Sequence, residues 1–223
     1  VPKKDQILTA VWKIDAYQKL SKSGWTAVAG SEDEDDSNSD GRAASAIDGD
    51  EGTWWHSNYS DASKEAVISD PGTRNEFTID FGKTVNAVQF EYVPRSNGEG
   101  NGYITGYRLY YSETADGAFT EIGSGGTWAH NGDKKLVEFD RAIPMRRIQI
   151  RATETNGSLG KNRYIHAAEF NVYTYKEGLV IPTGVTAEAK LELKFGESRK
   201  INAAAAPANT NYRDLTYTSS NPL

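Results

Sequence analysis

The chain has 223 residues, room for one full domain of roughly 100–200 residues with further segments at its ends. Its 25 Lys and Arg against 31 Asp and Glu give a net charge of −6, so no basic excess exists to neutralise a phosphate backbone or an anionic bilayer, and nucleic acid and membrane surfaces fall away as partners. Hydrophobic residues make up 37% and aromatics 11%, which suits a packed core and excludes wholesale disorder, while zero cysteines remove disulfides, thiolate metal sites and cysteine nucleophiles together.

The opening VPKKDQ lacks the apolar core of a signal peptide, and no stretch approaches the roughly 18 apolar residues of a membrane span. Val1 is no initiator, so the sequence reads as a piece excised from a longer chain, with any targeting information outside it. Residues 1–20 are expected to form an N-terminal linker or helix. Ile7, Val11, Ile14 and Tyr17 recur at three and four residue intervals, the spacing of one helical face, and Asp5 is a candidate N-cap. SEDEDDSNSDG, Ser31 to Gly41, carries no apolar residue and reads as a solvated acidic loop, with cation capture as its functional alternative.

Beyond Gly72 the period becomes two: Phe77, Ile79, Phe81; then Val88, Phe90, Tyr92; then Tyr107, Leu109, Tyr111. Val137 with Phe139, Ile148 with Ile150, and Phe170 with Val172 continue the series, separated by turn-rich stretches such as RSNGEGNG and GSGGTWAHNGD. Many short strands without intervening helices predict an all-β antiparallel sandwich over residues 21–175. Residues 176–223 begin a second module. EGLVIPTG has the Gly and Pro of a linker, then Leu191, Leu193 and Phe195 alternate before a Gly196 turn, a small-residue run and LTYTSSNP.

Two carboxylates flank a glycine in Ala46-Ile47-Asp48-Gly49-Asp50, and the hydroxyl of Thr53 follows. Oxygens so spaced on one tight turn suit a hard cation, which takes six to eight of them at about 2.3–2.6 Å. Asp-Gly is also an ordinary turn former, and the motif alone does not decide between the two.

The order Trp25, AIDGD, Thr53-Trp54-Trp55-His56-Ser57, FTIDFGKTVNAVQFEYVPR, NGYITGYRLYYSE and AAEFNVY resembles the factor V/VIII type C (discoidin) domain, and more narrowly the family 32 carbohydrate-binding modules. The resemblance runs from about Ser21 to Tyr175 and implies a discoidin-like jelly-roll β-sandwich. It further implies a structural calcium ion held by Asp48, Asp50, Thr53 and Glu169, with the carbonyls of Ala46 and Ala168 as additional oxygens. It places a sugar site on loops at one end of the sandwich, where His56, Arg95 and Asn101 match the polar contacts and Asn97 competes with Asn101. A guanidinium fork and an imidazole bracket adjacent hydroxyls, and an amide both donates and accepts as a hydroxyl pair requires. Tyr164 matches by position the ring on which the sugar's C–H face stacks, with Trp128 and Tyr59 as alternatives, whereas Trp55 matches a core residue. His130 and His166 read as bystanders. The segment after residue 176 resembles the first part of a bacterial group 2 immunoglobulin-like domain, too short for the whole one.

The function implied is non-catalytic binding of galactose-type or N-acetylhexosamine glycan termini, targeting a larger secreted or cell-surface, bacterial glycan-processing protein. The chain has no recognisable nucleophile elbow, phosphate loop or HExxH helix to favour an enzyme. Protein or lipid adhesion is the alternative within the discoidin class, although its lipid-binding members use apolar spikes ringed by basic residues and the loops here are polar and acidic.

Overall fold

The computed structural model of the chain describes residues 8–11, 16–33, 41–58, 75–96, 101–156, 164–194, 196–211 and 213–219. Thirteen strands occur among them: β1 Leu8–Val11, β2 Tyr17–Lys19, β3 Thr26–Ala29, β4 Trp55–His56, β5 Glu76–Val93, β6 Ile104–Ser112, β7 Thr120–Thr127, β8 Lys135–Thr155, β9 His166–Ala167, β10 Glu169–Tyr175, β11 Gly184–Ala187, β12 Ala203–Ala206 and β13 Thr216–Ser219. One 3-10 turn, Ala43–Ala46, is the sole helical element among the described residues. Two compact units result, one spanning Gln18–Thr174 and the other combining Val1–Tyr17 with Tyr175–Leu223.

The larger unit is an all-β jelly-roll sandwich. Its strands follow the order β2-β10-β5-β8-β6-β7, with β3 added to the first part of β5. The alternation read from the sequence explains the layout, since Phe77, Ile79 and Phe81 of β5 are buried while Thr78 and Asp80 between them are not. β5 and β8 are long enough to run the length of the sandwich, and their pairing shifts register between Asp80 and Val85 and again between Ala87 and Gln89. Such bulges bend and twist a strand, which lets one continuous ladder wrap a core. That core gathers Trp25, Trp55, Phe77, Phe90, Tyr92, Leu109, Ile148, Ile150 and Phe170. Phe170 sits at its centre, with ring centroids 4.7 Å from Phe77, 5.5 Å from Phe90 and 5.8 Å from Tyr92.

Three expectations change. The N-terminal segment is not helical where it is described: Leu8–Val11 pairs antiparallel with Thr216–Ser219, and Tyr17–Lys19 is a sheet-edge strand. Ladder pairing to a distant partner overrides the three-and-four spacing, which in an extended segment puts residues three apart on opposite faces. The turn-rich GSGG stretch lies within β7, where Gly125 has φ +72° and a Cβ there would stand 2.5 Å from the Tyr107 carbonyl oxygen, so glycine permits the close pairing that no other residue does. In the smaller unit the alternating Leu191–Lys194 is not in a strand; β11 pairs with β12 in the small-residue run instead. Asp5, Phe195 and most of the acidic run lie outside the described residues.

Deleting the Phe170 ring removes the contact shared by three other rings. Phe170→Ala is expected to cost about 3–5 kcal/mol of unfolding free energy by urea denaturation at unchanged slope. A loss under about 1 kcal/mol would contradict this packing.

Candidate functional site

The site begins with a short ladder. β4 pairs with β9 through Trp55↔Ala167 and His56↔His166. Trp55 is fully buried with its ring 4.9 Å from Phe77, and its indole N–H donates to the Ser31 carbonyl at 2.9 Å, so the ladder is pinned to the core. Beyond it the Ser57 amide donates to the Ile165 carbonyl and the Ile165 amide to Ser57 Oγ, both at 2.9 Å. His56 is thereby fixed at the end of the sandwich, and its Nδ1–H donates to the Ser57 carbonyl at 2.6 Å. In the neutral ring that tautomer makes Nε2 an acceptor.

Around this ladder the four residues expected to touch sugar come together. The His56 ring lies 5.1 Å from Tyr164 and 6.0 Å from His166. The Asn101 amide donates to the Tyr164 hydroxyl at 2.5 Å. Arg95, which follows the rigid Val93-Pro94 end of β5, is buried with its guanidinium 5.7 Å from the Trp54 ring. His166 lies beneath them, fully buried and edge-on to Tyr103 at 5.4 Å. Burial, then the charges of Arg95 and His56, push the His166 imidazole well below its ordinary value of 6.5, so it is neutral at pH 7.

Several supports were silent in the sequence. Asn156 Oδ1 accepts the amides of Gly102 and Tyr103 at 3.1 and 2.9 Å, and the His166 amide donates to the Gly102 carbonyl at 3.2 Å. Gly102 has φ +97°, and a Cβ there would meet His166 Cδ2 at 2.9 Å; the Asn-Gly turn signal was the one available hint. The Tyr92 hydroxyl donates to the His166 carbonyl at 3.0 Å and accepts the Ile104 amide at 3.3 Å. Thr155 Oγ1 donates to the Tyr164 carbonyl at 2.9 Å. His166 is therefore buried at the packing centre of the site. Trp55 is core, as expected, and Trp128 stacks on Tyr107 at 3.9 Å and on Tyr92 at 5.5 Å. Asn97 and Tyr59 lie outside the described residues.

The opposite end of the same ladder carries the candidate cation residues. Thr53 Oγ1 stands 2.7 Å from Asp48 Oδ2, 3.1 Å from the Asp50 carbonyl oxygen and 3.4 Å from the Ser45 carbonyl oxygen. One hydroxyl proton faces three acceptors, an excess of oxygen lone pairs that a cation would satisfy. The Asp50 carboxylate accepts the Gly52 amide at 2.8 Å, so its carbonyl and not its side chain faces Thr53. The Ser45 carbonyl, which the sequence does not single out, also faces Thr53. Glu169 Oε1 accepts the Gly49 amide at 2.6 Å, and Oε2 is ion-paired with Lys22. Burial, followed by repulsion from Lys19, lowers the Lys22 pKa to about 8 against the opposing pull of Asp48. Among the described residues no three His, Cys, Asp or Glu side chains group as metal ligands; Asp48 joins carbonyl and hydroxyl oxygens instead, and Glu169 reaches the same loop through the Gly49 amide. The all-oxygen set fits a hard cation in kind.

The profile of the F5/8 type C domain matches residues 26–170. The chain belongs to this family. It is 32% identical over 136 residues to the A type blood N-acetyl-alpha-D-galactosamine deacetylase of Flavonifractor plautii, covering 61% of this chain and 16% of that protein. It is 28% identical over 155 residues to the galactose oxidase of Gibberella zeae, covering 69% of this chain and 20% of that enzyme. The chain thus spans a minor part of the curated relatives it matches. Among solved structures it resembles the family 32 CBM from Clostridium perfringens NanJ in complex with galactose, with 29% identity and TM-score 0.55 over 71% of this chain and 99% of that one. CpGH89CBM32-5 from Clostridium perfringens, in complex with GalNAc-beta-1,3-galactose, is 31% identical with TM-score 0.56 over 70% of this chain and 99% of that one.

In this F5/8 type C domain the neutrality of His166 links stability to pH. Its folded pKa lies below the unfolded value of 6.5, so the stability it contributes is full above about pH 6.5 and is lost as pH falls from there toward the folded pKa. The melting temperature of the wild type is expected to drop more steeply between pH 7 and 5 than that of His166→Phe, which keeps a ring and removes the titration. Parallel melting-against-pH curves for the two proteins would refute the linkage.

Proposed function

We propose that the Gln18–Thr174 unit is a non-catalytic carbohydrate-binding module for galactose-type or N-acetylhexosamine glycan termini. The observation that carries this reading is the gathering of His56, Arg95, Asn101 and Tyr164 about the buried His166 ring. Arg95 offers a fork of donors to vicinal hydroxyls, and His56 Nε2 accepts a hydroxyl proton. The Asn101 amide donates and accepts, and the half-buried Tyr164 ring gives the apolar sugar face a surface. The galactose and GalNAc-beta-1,3-galactose in the two similar structures support the sugar class. The relatives named for galactosamine deacetylation and galactose oxidation, of which the matched part is 16% and 20%, support a role as an attached recognition module. The setting we infer is a larger extracellular or surface glycan-processing protein of bacterial origin, with the paired strands of the smaller unit as part of an immunoglobulin-like neighbour.

A structural calcium ion belongs to the same reading. Asp48 Oδ2, Thr53 Oγ1, the carbonyls of Ser45 and Asp50, and Glu169 would hold it, fastening the loop to the start of β10. Its chemistry would be electrostatic only. A ligand bound by the native state alone stabilises by RT ln(1 + [L]/Kd), about 2.7 kcal/mol at a hundredfold excess. Melting is therefore expected to rise with calcium and fall in chelator; an unchanged midpoint together with a neutral Asp48→Ala would make the site an ordinary turn.

One shallow sugar subsite makes a few hydroxyl contacts and one stack, giving an expected Kd on the order of 0.1–1 mM. Arg95→Ala is expected to retain the fold and lose about 1.5–3 kcal/mol of binding, the worth of charge-assisted hydrogen bonds. Titration of both proteins with galactose, N-acetylgalactosamine and N-acetylglucosamine checks this, and coincident curves would remove Arg95 from the site. Absence of binding across a glycan array, with pelleting on liposomes, would instead favour adhesion.

A further inference from the structure

We infer that Lys22 competes with calcium for Glu169, and so sets both how tightly the Asp48–Thr53 loop holds the ion and how far the fold depends on it. The inference rests on the cation reading above. Lys22 is held in place by its backbone: the Trp25 amide donates to its carbonyl at 3.0 Å, and the Leu20 amide donates to the Val172 carbonyl of β10 at 2.8 Å. Its side chain passes beside the Trp25 ring, 6.0 Å from ammonium to centroid, and ends on the Glu169 carboxylate. The two side chains are 14% and 2% exposed, and the ammonium itself is buried with no further hydrogen-bond acceptor among the described residues.

Both oxygens of Glu169 are thus engaged, one by the Gly49 amide of the cation loop and one by the ammonium. A divalent cation at the Thr53 oxygens gains Glu169 only by sharing or displacing one of these partners. Displacing Lys22 strands a buried ammonium, and sharing brings two positive charges onto one carboxylate; either way the ion binds against an opposing cost. Without the ion, the same ammonium neutralises Glu169 and keeps β10 fastened to the loop. Removing Lys22 leaves a buried carboxylate without its ion-pair partner, with the exposed Lys19 lining the same cavity as a weaker countercharge, so calcium affinity and dependence should rise together.

The test is calorimetric titration of calcium chloride into chelator-stripped wild type, Lys22→Met, Lys22→Gln and Lys22→Arg, with melting of each in calcium and in chelator. Lys22→Met and Lys22→Gln are expected to bind calcium at least tenfold more tightly than wild type and to lose more melting temperature in chelator, while the charge-retaining Lys22→Arg stays near wild type. If Lys22→Met folds only with calcium, that is the expected dependence in its extreme form. If it folds in neither condition, Lys22→Gln against Lys22→Arg decides. Equal or weaker affinity in the neutral variants overturns the competition while leaving the cation site standing. No binding heat in any protein, with melting indifferent to chelator throughout, overturns the cation reading and the competition with it.

Discussion

The pairing of β4 with β9 is two residues long, and both candidate sites hang from it. Thr53 lies two residues before Trp55 and Glu169 two after Ala167, so the oxygen cluster sits at one end of the ladder. His56 and His166 form its other rung, with Tyr164 just beyond. So short a pair of strands has too few hydrogen bonds to hold its own register. It is held from outside: Trp55 packs into the core against Phe77, the His56 amide donates to the Gly41 carbonyl at 3.1 Å, and the Ser57–Ile165 bonds close the far end. Register matters here because a slip of one residue would turn His56 and His166 away from Arg95 and Asn101.

The polar groups gathered at this end are unusually buried for a surface module. His56 is 2% exposed, Arg95 7% and His166 0%, and burial of a charge demands a partner or neutrality. The site meets the demand in two ways. The Arg95 guanidinium stands over the Trp54 ring, and His166 is held neutral, first by its burial and then by the neighbouring Arg95. One fixed positive fork among neutral donors and acceptors suits an uncharged polyhydroxyl ligand. It also requires the fork to be aimed in advance, because a buried guanidinium has little freedom to search.

What the sequence disclosed and what it hid separate by range. Period-two runs such as Phe77, Ile79, Phe81 and Phe170, Val172 predict strands correctly because one face of each contributes to a common core, a local pattern with a global cause. β7 hides because its pairing relies on glycines, which carry no alternation, and β1 hides because its partner lies some two hundred residues away. His56 and Arg95 are legible through ordered motifs, Asn101 only against the competing Asn97 and Tyr164 by position alone, and the structure sets His56 and Asn101 beside Tyr164. His166, Asn156, Gly102 and Lys22 are not, since each acts on the site by supporting another residue. Lys22 in particular looks like any surface lysine until Leu20 is seen tied to β10 and Trp25 to Lys22 itself. The Asp50 carbonyl and Ser45 carbonyl escape for a different reason: a backbone oxygen has no letter in the sequence.

The Lys22–Glu169 pair shows why the closure of this sandwich is polar at all. A buried ion pair is seldom the most stabilising solution, and apolar side chains of equal volume often do better. Apolar contacts, however, tolerate sliding. Three segments meet at Glu169, the stretch leading to β3, the Asp48–Thr53 loop and β10, and each is short and irregular where it arrives. A carboxylate whose two oxygens accept from two differently placed donors, Gly49 N–H and the Lys22 ammonium, admits one arrangement of the three. The direction of those bonds, more than their net energy, fixes where β10 starts. That in turn sets β9, the rung of His166, and the wall against which His56 and Tyr164 are held.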